Sequence, residues 1–311
     1  MSLRGSTGGA IPPHLGRQVV VTGATSGLGY ETALGLAQDC ADVILAGRNE
    51  SRGRETAARI RSLAPRALIR FEKLDLADLA SVSGFAARLR ALGRPLDLLV
   101  NNAGVMALPV RRLTVDGFEM QMAVNYLGHF ALTAQLMPLL GLSRSPRVVH
   151  VSSLAHRFGK ICFDNLHGER CYGPWQAYSQ SKLAVLLFAR ELQRRSDEHA
   201  WSLLSNAVHP GYARTALLAN GPGSSSAVAL LSRSLGRVFS QSAARGAQSA
   251  LFAAGSDTVK PGAYYGPGGL LEFAGPPAEA YISPLARQRD LAARLWQVSQ
   301  QLTGVDWPRV A

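Results

Sequence analysis

The chain has 311 residues, 47% of them apolar, and a formal charge of +12. That length buries a large core, as one large domain or two small ones; no run of about 18 uncharged apolar residues offers a membrane span and no apolar stretch after Met1 offers a signal peptide, so a cytoplasmic protein is expected. Lysines occur only at Lys73, Lys160, Lys182 and Lys260, and the arginines are scattered along presumed helix faces with no basic run interleaved with aromatics, which argues against nucleic-acid binding.

Residues 1–16 are rich in Gly, Ser and Pro and read as a flexible arm; order is expected from Arg17, in a single domain over 17–311. Gln18–Thr22 carries consecutive β-branched residues without alternation, the pattern of a parallel strand covered on both faces. Gly23-Ala24-Thr25-Ser26-Gly27-Leu28-Gly29 then leads into helical spacing over Tyr30–Gln38. Strand, glycine loop and helix in that order place a diphosphate at a helix N-terminus, where unpaired N–H groups and the dipole favour negative charge. The glycines let the backbone approach it closely.

A second strand, Asp42–Ala46, ends in Gly47-Arg48-Asn49. Dinucleotide folds place near this point either an acid that binds ribose hydroxyls, for NAD, or an arginine that accommodates a 2′-phosphate. Gly47 stands where the acid would sit, so Arg48 predicts NADP(H); the plainer alternative is a surface arginine opening the next helix. A helix over Arg52–Leu63, a third strand over Leu68–Leu74, a helix over Ala80–Leu92 and a fourth strand over Leu96–Val100 follow. Asp75 is placed either to accept from an adenine amino group or to cap the following helix. Asn101-Asn102-Ala103-Gly104 falls at the carboxyl end of the fourth strand, the crevice where open α/β sheets bind ligands.

Arg147–Val151 reads as a fifth strand that delivers Ser152 and Ser153 to the same edge. Leu203–Val208 reads as a sixth, leading to Pro210-Gly211, and Ala263–Tyr265 as a seventh. Strand and helix alternate without an internal repeat. The fold class is therefore α/β, a doubly wound parallel sheet of about seven strands with helices on both faces. Two apolar variable regions, near 156–175 and 216–245, interrupt it. The first is either a substrate wall or a patch buried against the protein, and the second is expected to be a lid over a lipophilic pocket. Ser283-Pro284 supplies the N-cap and N1 residues of a last helix that buries Leu291, Leu295, Val298 and Leu302 and ends at Gly304.

Tyr178-Ser179-Gln180-Ser181-Lys182 carries the chemistry. Residues four apart share a helix face, and a cation beside a phenol favours the phenolate, lowering the tyrosine pKa from about 10 toward the range of acid/base catalysis. Tyr178 is thus a candidate proton donor. Cys40, Cys162 and Cys171 lack zinc spacing and an odd count gives no disulfide framework, which leaves structural thiols. The histidines show no ligand spacing, so no metal is expected.

Thr22 to Gly29, Asp75-Leu76, Asn101 to Gly104, Asn125, Ser153, Tyr178 with Lys182, and Pro210-Gly211 followed by Thr215 stand in the order found in the short-chain dehydrogenase/reductase family, which the chain resembles over about residues 17–265. Asn125 to Phe130, Val151 to His156, Tyr178 to Ala184 and Leu295 to Ser299 are similar to the retinol dehydrogenase and WW-domain oxidoreductase branch. The lack of a WW domain and of an N-terminal anchor points to a soluble, bacterial-type relative.

The resemblance implies a Rossmann fold and hydride transfer between nicotinamide and a lipophilic alcohol or carbonyl. It implies cofactor contacts from Gly23, Thr25, Ser26, Gly27, Leu28, Gly29, Arg48, Asp75, Leu76, Asn102, Ala103, Gly104, Tyr178, Lys182, Pro210, Gly211 and Thr215. Ser153, with Ser152 as the uncertain neighbour, would bond the substrate oxygen, Tyr178 would give the proton, Lys182 would hold the ribose, and Asn125 would keep a water in a relay to Lys182. The competing reading is a catalytically idle NADP(H)-sensing interaction protein, against which the complete Asn125, Ser153, Tyr178 and Lys182 set argues. Relatives pair through the helices bearing Asn125 and Tyr178, and the oligomeric state is open.

Overall fold

A computed structural model describes residues 15–211 and 242–308. Residues 1–14 of the expected arm, Thr215, and residues 216–241 of the expected lid lie outside the described residues. The strands are β1 (Gln18–Thr22), β2 (Asp42–Gly47), β3 (Ile69–Lys73), β4 (Leu98–Asn101), β5 (Arg147–Val151), β6 (Leu204–Val208), β7 (Tyr264–Pro267) and β8 (Pro277–Glu279). They form one sheet in the order β3-β2-β1-β4-β5-β6-β7-β8. The pairs are parallel from β3 to β7, and β8 closes the edge antiparallel, Gly266 opposite Ala278. The sheet thus has one strand more than the seven expected.

The helices are α1 (Gly27–Gln38), α2 (Glu50–Leu63), α3 (Leu79–Ala91), α4 (Met120–Met122), α5 (Gly128–Leu140), α6 (Pro174–Glu198), α7 (Ala243–Gly246), α8 (Gln248–Gly255) and α9 (Arg289–Thr303), with a π turn over Ala123–Leu127 joining α4 to α5. Because successive strand residues point to opposite faces, β1 feeds two cores. Val20 packs with Phe85, Phe130, Leu183 and Trp296, from α3, α5, α6 and α9. Val19 and Val21 pack with Leu36, Ile60 and Leu251, from α1, α2 and α8. Burying both faces is what an unbroken β-branched strand requires, and it directs the carboxyl ends of β1, β4, β5 and β6 to one edge. The order of strands reverses between β1 and β4, the switch point where doubly wound sheets hold ligands.

Two local expectations change. Asp78, not Asp75, caps α3, its carboxylate accepting from Ala80 and Ser81 N–H at 2.9 and 3.2 Å. Ser283-Pro284 opens a short 3-10 turn, Leu285–Arg287, and α9 starts only after extended Gln288. The end was legible: Gly304 is left-handed, φ 64°. All three cysteines are free, and since Cys162 and Cys171 are exposed only Cys40 suits a structural role. Among the described residues no helix is long and apolar enough to cross a membrane.

The glycine turn interlocks with the loop after β4. Gly23 has φ +65°, and a Cβ there would lie 2.8 Å from the Ala103 Cα; a Cβ on Gly29 would lie 2.4 Å from both the Asn102 Nδ2 and the Gly23 carbonyl oxygen. Glycine to alanine within a helix ordinarily gains up to about 1 kcal/mol. Here the clash with fixed backbone outweighs that gain, and Gly29→Ala is expected to destabilise by about 1–3 kcal/mol in chemical unfolding. A variant as stable as the wild type would show that the two loops are not locked together.

Candidate active site

Thr22, at the end of β1, organises the crevice. Its Oγ1 accepts from Asn102 and Ala103 N–H at 2.9 and 3.0 Å, and its carbonyl accepts from Asn102 Nδ2 at 2.7 Å. Asn102 is therefore committed to fastening one loop to the other. The same Thr22 hydroxyl lies 2.9 Å from His129 Nε2, and His129 Nδ1 donates to the Asn125 carbonyl at 3.0 Å. Burial brings His129 down to about 4, so it is a neutral linker between the glycine turn and the π turn. Its part in the site is not legible from the sequence, where it is one histidine in an apolar helix.

Asn125 sits inside the π turn, a distortion often found at functional sites. Its Oδ1 accepts from Val105 N–H at 2.8 Å, and its Nδ2 donates to the Val105 carbonyl at 3.0 Å and to Ser181 Oγ at 2.8 Å. Ser181, which sequence reasoning passed over, thus fixes Asn125 to α6, one turn from the catalytic candidates. Gly104 lies between Asn125 and Lys182, and a Cβ on it would stand 3.1 Å from Asn125 Oδ1 and 3.5 Å from Lys182 Nζ.

On α6, Tyr178 and Lys182 share one face as four-residue spacing requires. Lys182 Nζ lies 5.8 Å from the centre of the Tyr178 ring and donates to the Val151 carbonyl at 2.9 Å. The two serines after β5 divide. Ser152 Oγ donates to the Lys182 carbonyl at 2.7 Å, whereas Ser153 Oγ accepts from Ala155 N–H at 3.2 Å and stands close enough to the Tyr178 phenol to favour its ionised form. Ser153 is thus the hydroxyl beside the phenol, and Ser152 braces the helix behind it.

The expected lowering of the tyrosine does not occur. Burial pushes the Tyr178 phenol above the ordinary 10.0, and the Ser153 hydrogen bond recovers only part of that rise. Burial also lowers Lys182 from 10.5 to about 8. The physical reason is desolvation, which disfavours both charged forms, together with an ammonium engaged by a carbonyl. The protonated phenol that results suits proton donation.

The Lys182 shift makes a stability prediction. With a folded pKa of about 8 against an ordinary 10.5, the native state binds fewer protons than the unfolded chain between those values, so stability rises with pH across that window. Below it, the full cost of a buried charge is present. Lys182→Met removes the titration, so the stability of wild type relative to this variant is expected to rise by about 2 kcal/mol between about pH 7.5 and 10 in denaturant unfolding. A pH-independent difference would contradict it.

The remaining candidates line the same edge. Gly27 and Leu28 begin α1, whose N-cap residue Ser26 makes no side-chain cap hydrogen bond. Thr25 packs toward Gly47, and Arg48 is exposed just beyond β2 and forms no ion pair among the described residues. Asp75 is half-buried, its Oδ1 accepting from Ala77 N–H at 2.9 Å, and the Leu76 carbonyl abuts Gly128. Pro210 and Gly211 follow β6, with Gly211 N–H donating to His209 Nδ1 at 3.2 Å. The first variable region is partly core: Ile161 and Phe163 pack against it, Phe158 and Trp175 are exposed, and the Trp175 ring lies edge-on to Tyr178 at 6.1 Å. Among the described residues no group of three or more His, Cys, Asp or Glu could hold a metal ion.

A doubly wound sheet carrying a glycine turn at its switch point and a serine, tyrosine and lysine beside it is the framework of a dinucleotide-dependent oxidoreductase. The chain belongs to the short chain dehydrogenase family, whose family model matches residues 17–222. It is 42% identical over 298 residues to the polyprenol dehydrogenase of Mus musculus, covering 94% of this chain and 86% of that protein. It is 40% identical over 294 residues to retinol dehydrogenase 12 of Homo sapiens, covering 94% and 88%. Among solved structures, an uncharacterized protein from Mycobacterium Paratuberculosis superposes with a TM-score of 0.79 at 40% identity, covering 96% and 97% of the two chains. A short chain dehydrogenase from Shigella flexneri 2a, complexed with NADP, has a TM-score of 0.63 at 27% identity, covering 81% and 98%. The protein is an oxidoreductase acting between alcohols and carbonyl compounds.

Proposed function

We propose that the protein uses NADP(H) to interconvert a lipophilic alcohol and its ketone or aldehyde, with Tyr178 as the general acid/base. The observation that carries this reading is the placing of Lys182 and Ser153 beside the Tyr178 ring. The residues fit a dinucleotide: the first turn of α1 lacks a side-chain cap, Gly23 and Gly29 leave no side chain between the turn and the loop after β4, and exposed Arg48 has its guanidinium free for a 2′-phosphate. When bound, the nicotinamide supplies or accepts the hydride.

The chain's own groups handle the proton. In the reductive direction the neutral Tyr178 phenol gives its proton to the substrate oxygen while the Ser153 hydroxyl bonds the same oxygen as charge develops on it. In the oxidative direction the phenolate takes the proton back. Lys182 orients the cofactor ribose, and Asn125, fixed by Val105 and Ser181, holds the relay that resupplies the phenol. Asp75, Leu76, Asn102, Ala103, Gly104, Pro210 and Gly211 line the cofactor crevice in this reading. The names of the mouse and human relatives support a lipophilic substrate, as does Trp175, half exposed and edge-on to Tyr178.

Incubation with NADPH and a panel of aliphatic and aromatic aldehydes and ketones tests the proposal. NADPH consumption that requires a carbonyl supports it. Tight NADPH binding without turnover of any member would overturn it in favour of an idle sensor.

A further inference from the structure

The turn after Ser153 carries a cluster of charged and titratable groups that the mechanism leaves unused. The turn after β5, Leu154–Phe158, folds back so that His156 Nδ1 donates to the Ser153 carbonyl at 2.8 Å. The next residue, Arg157, donates to Glu272 Oε2 at 2.6 Å. The same carboxylate oxygen lies 3.1 Å from Nε2 of His209, and Oε1 accepts from Tyr281 N–H at 2.8 Å. A neutral imidazole carries one N–H. Since Nδ1 accepts from Gly211 N–H, the ring proton resides on Nε2, which lies close to Glu272 without the alignment of a hydrogen bond.

The backbone here is under constraint. Leu271 and Glu272 are consecutive non-glycine residues in the left-handed region, φ 53° and 61°. Such a conformation persists only where surrounding contacts enforce it, and it gathers at functional sites. His209 is fully buried and packs so tightly on Gly266 that a Cβ there would lie 1.8 Å from Nε2. Burial holds the His209 ring below its ordinary value, against the pull of Glu272, and so keeps it neutral.

We infer that Glu272 is a positioning residue for the reaction: one carboxylate, paired with Arg157 from the turn after Ser153, lies against the imidazole of His209 that holds Gly211, and so sets the turn and the His209-Pro210-Gly211 loop relative to one another. The inference rests on the proposed function, in which Ser153 meets the substrate oxygen and Pro210-Gly211 the cofactor. Glu272 touches neither. It sets the distance between the two walls that do, from a loop that the family motifs do not include.

Glu272→Gly is the most selective deletion, because glycine adopts this backbone without strain while the carboxylate is lost. The expected result is a fall in kcat on the order of tenfold or more, as for a misplaced catalytic wall, with the melting temperature held within a few degrees. Glu272→Gln, which keeps an oxygen acceptor for Arg157 or Tyr281 N–H, recovers most of that loss. His209→Asn retains an acceptor for Gly211 N–H but cannot reach Glu272, and is expected to lose kcat as Glu272→Gly does. Wild-type kcat in Glu272→Gly or His209→Asn would overturn the inference. So would equal losses in the Gly and Gln variants in proportion to lost stability. NADPH binding and turnover by the wild type are measured alongside, so that failure of the functional reading itself shows in the unmutated protein.

Discussion

Tyr178→Phe is expected to lower kcat by roughly 10²–10⁴-fold, the range supplied by a positioned acid or base, with NADPH affinity and folding stability little changed. The ring is buried at 6% exposure and meets Trp175 edge-on. Phenylalanine keeps the ring in place against Trp175 and removes only the hydroxyl beside Ser153. What remains is a cofactor crevice and a serine with no proton to pass on from α6. Because burial already keeps the phenol protonated in the neutral range, the wild-type reductive rate should not fall between about pH 6 and 8 through loss of that proton. Substantial activity in Tyr178→Phe, measured at saturating cofactor, would transfer the acid role to another group.

Arg48→Asp is expected to weaken NADPH binding by about 1–3 kcal/mol, the value of a charge-assisted contact, while NADH binding is little harmed. The side chain is exposed just after β2 and has no ion-pair partner among the described residues, so its replacement removes no fold contact. The acidic residue also repels a 2′-phosphate and offers an acceptor to a ribose 2′-hydroxyl, so the NADPH to NADH affinity ratio falls. Titration of both dinucleotides against both proteins reads this directly. An unchanged NADPH to NADH ratio would free Arg48 of the assignment and leave it a surface residue at the start of α2.

Much of this was legible in the sequence because parallel strands and catalytic motifs are local signals. Gln18–Thr22 reads as a strand without help from its neighbours, and the spacing of Tyr178 and Lys182 fixes their shared face. What was not legible depends on partners distant in the chain. β8 is three residues long and begins at a proline, with no periodicity to betray it. Asp75 and Asp78 both suit a cap, and only the path of the chain after β3 gives that place to Asp78. The direction of the Tyr178 shift follows from burial, which no four-residue spacing reveals. Glu272 is a single acid in a loop rich in glycine and proline, and its meaning comes from Arg157 and His209, 115 and 63 positions away.

The most direct test follows an atom. The wild-type protein is supplied with NADPH deuterated at the transferable position of nicotinamide C4 and with a long-chain aldehyde, and the product is examined by mass spectrometry. The account predicts an alcohol carrying one deuterium on its carbinol carbon. Bound cofactor with the aldehyde recovered unchanged, or alcohol formed without the label, would contradict it.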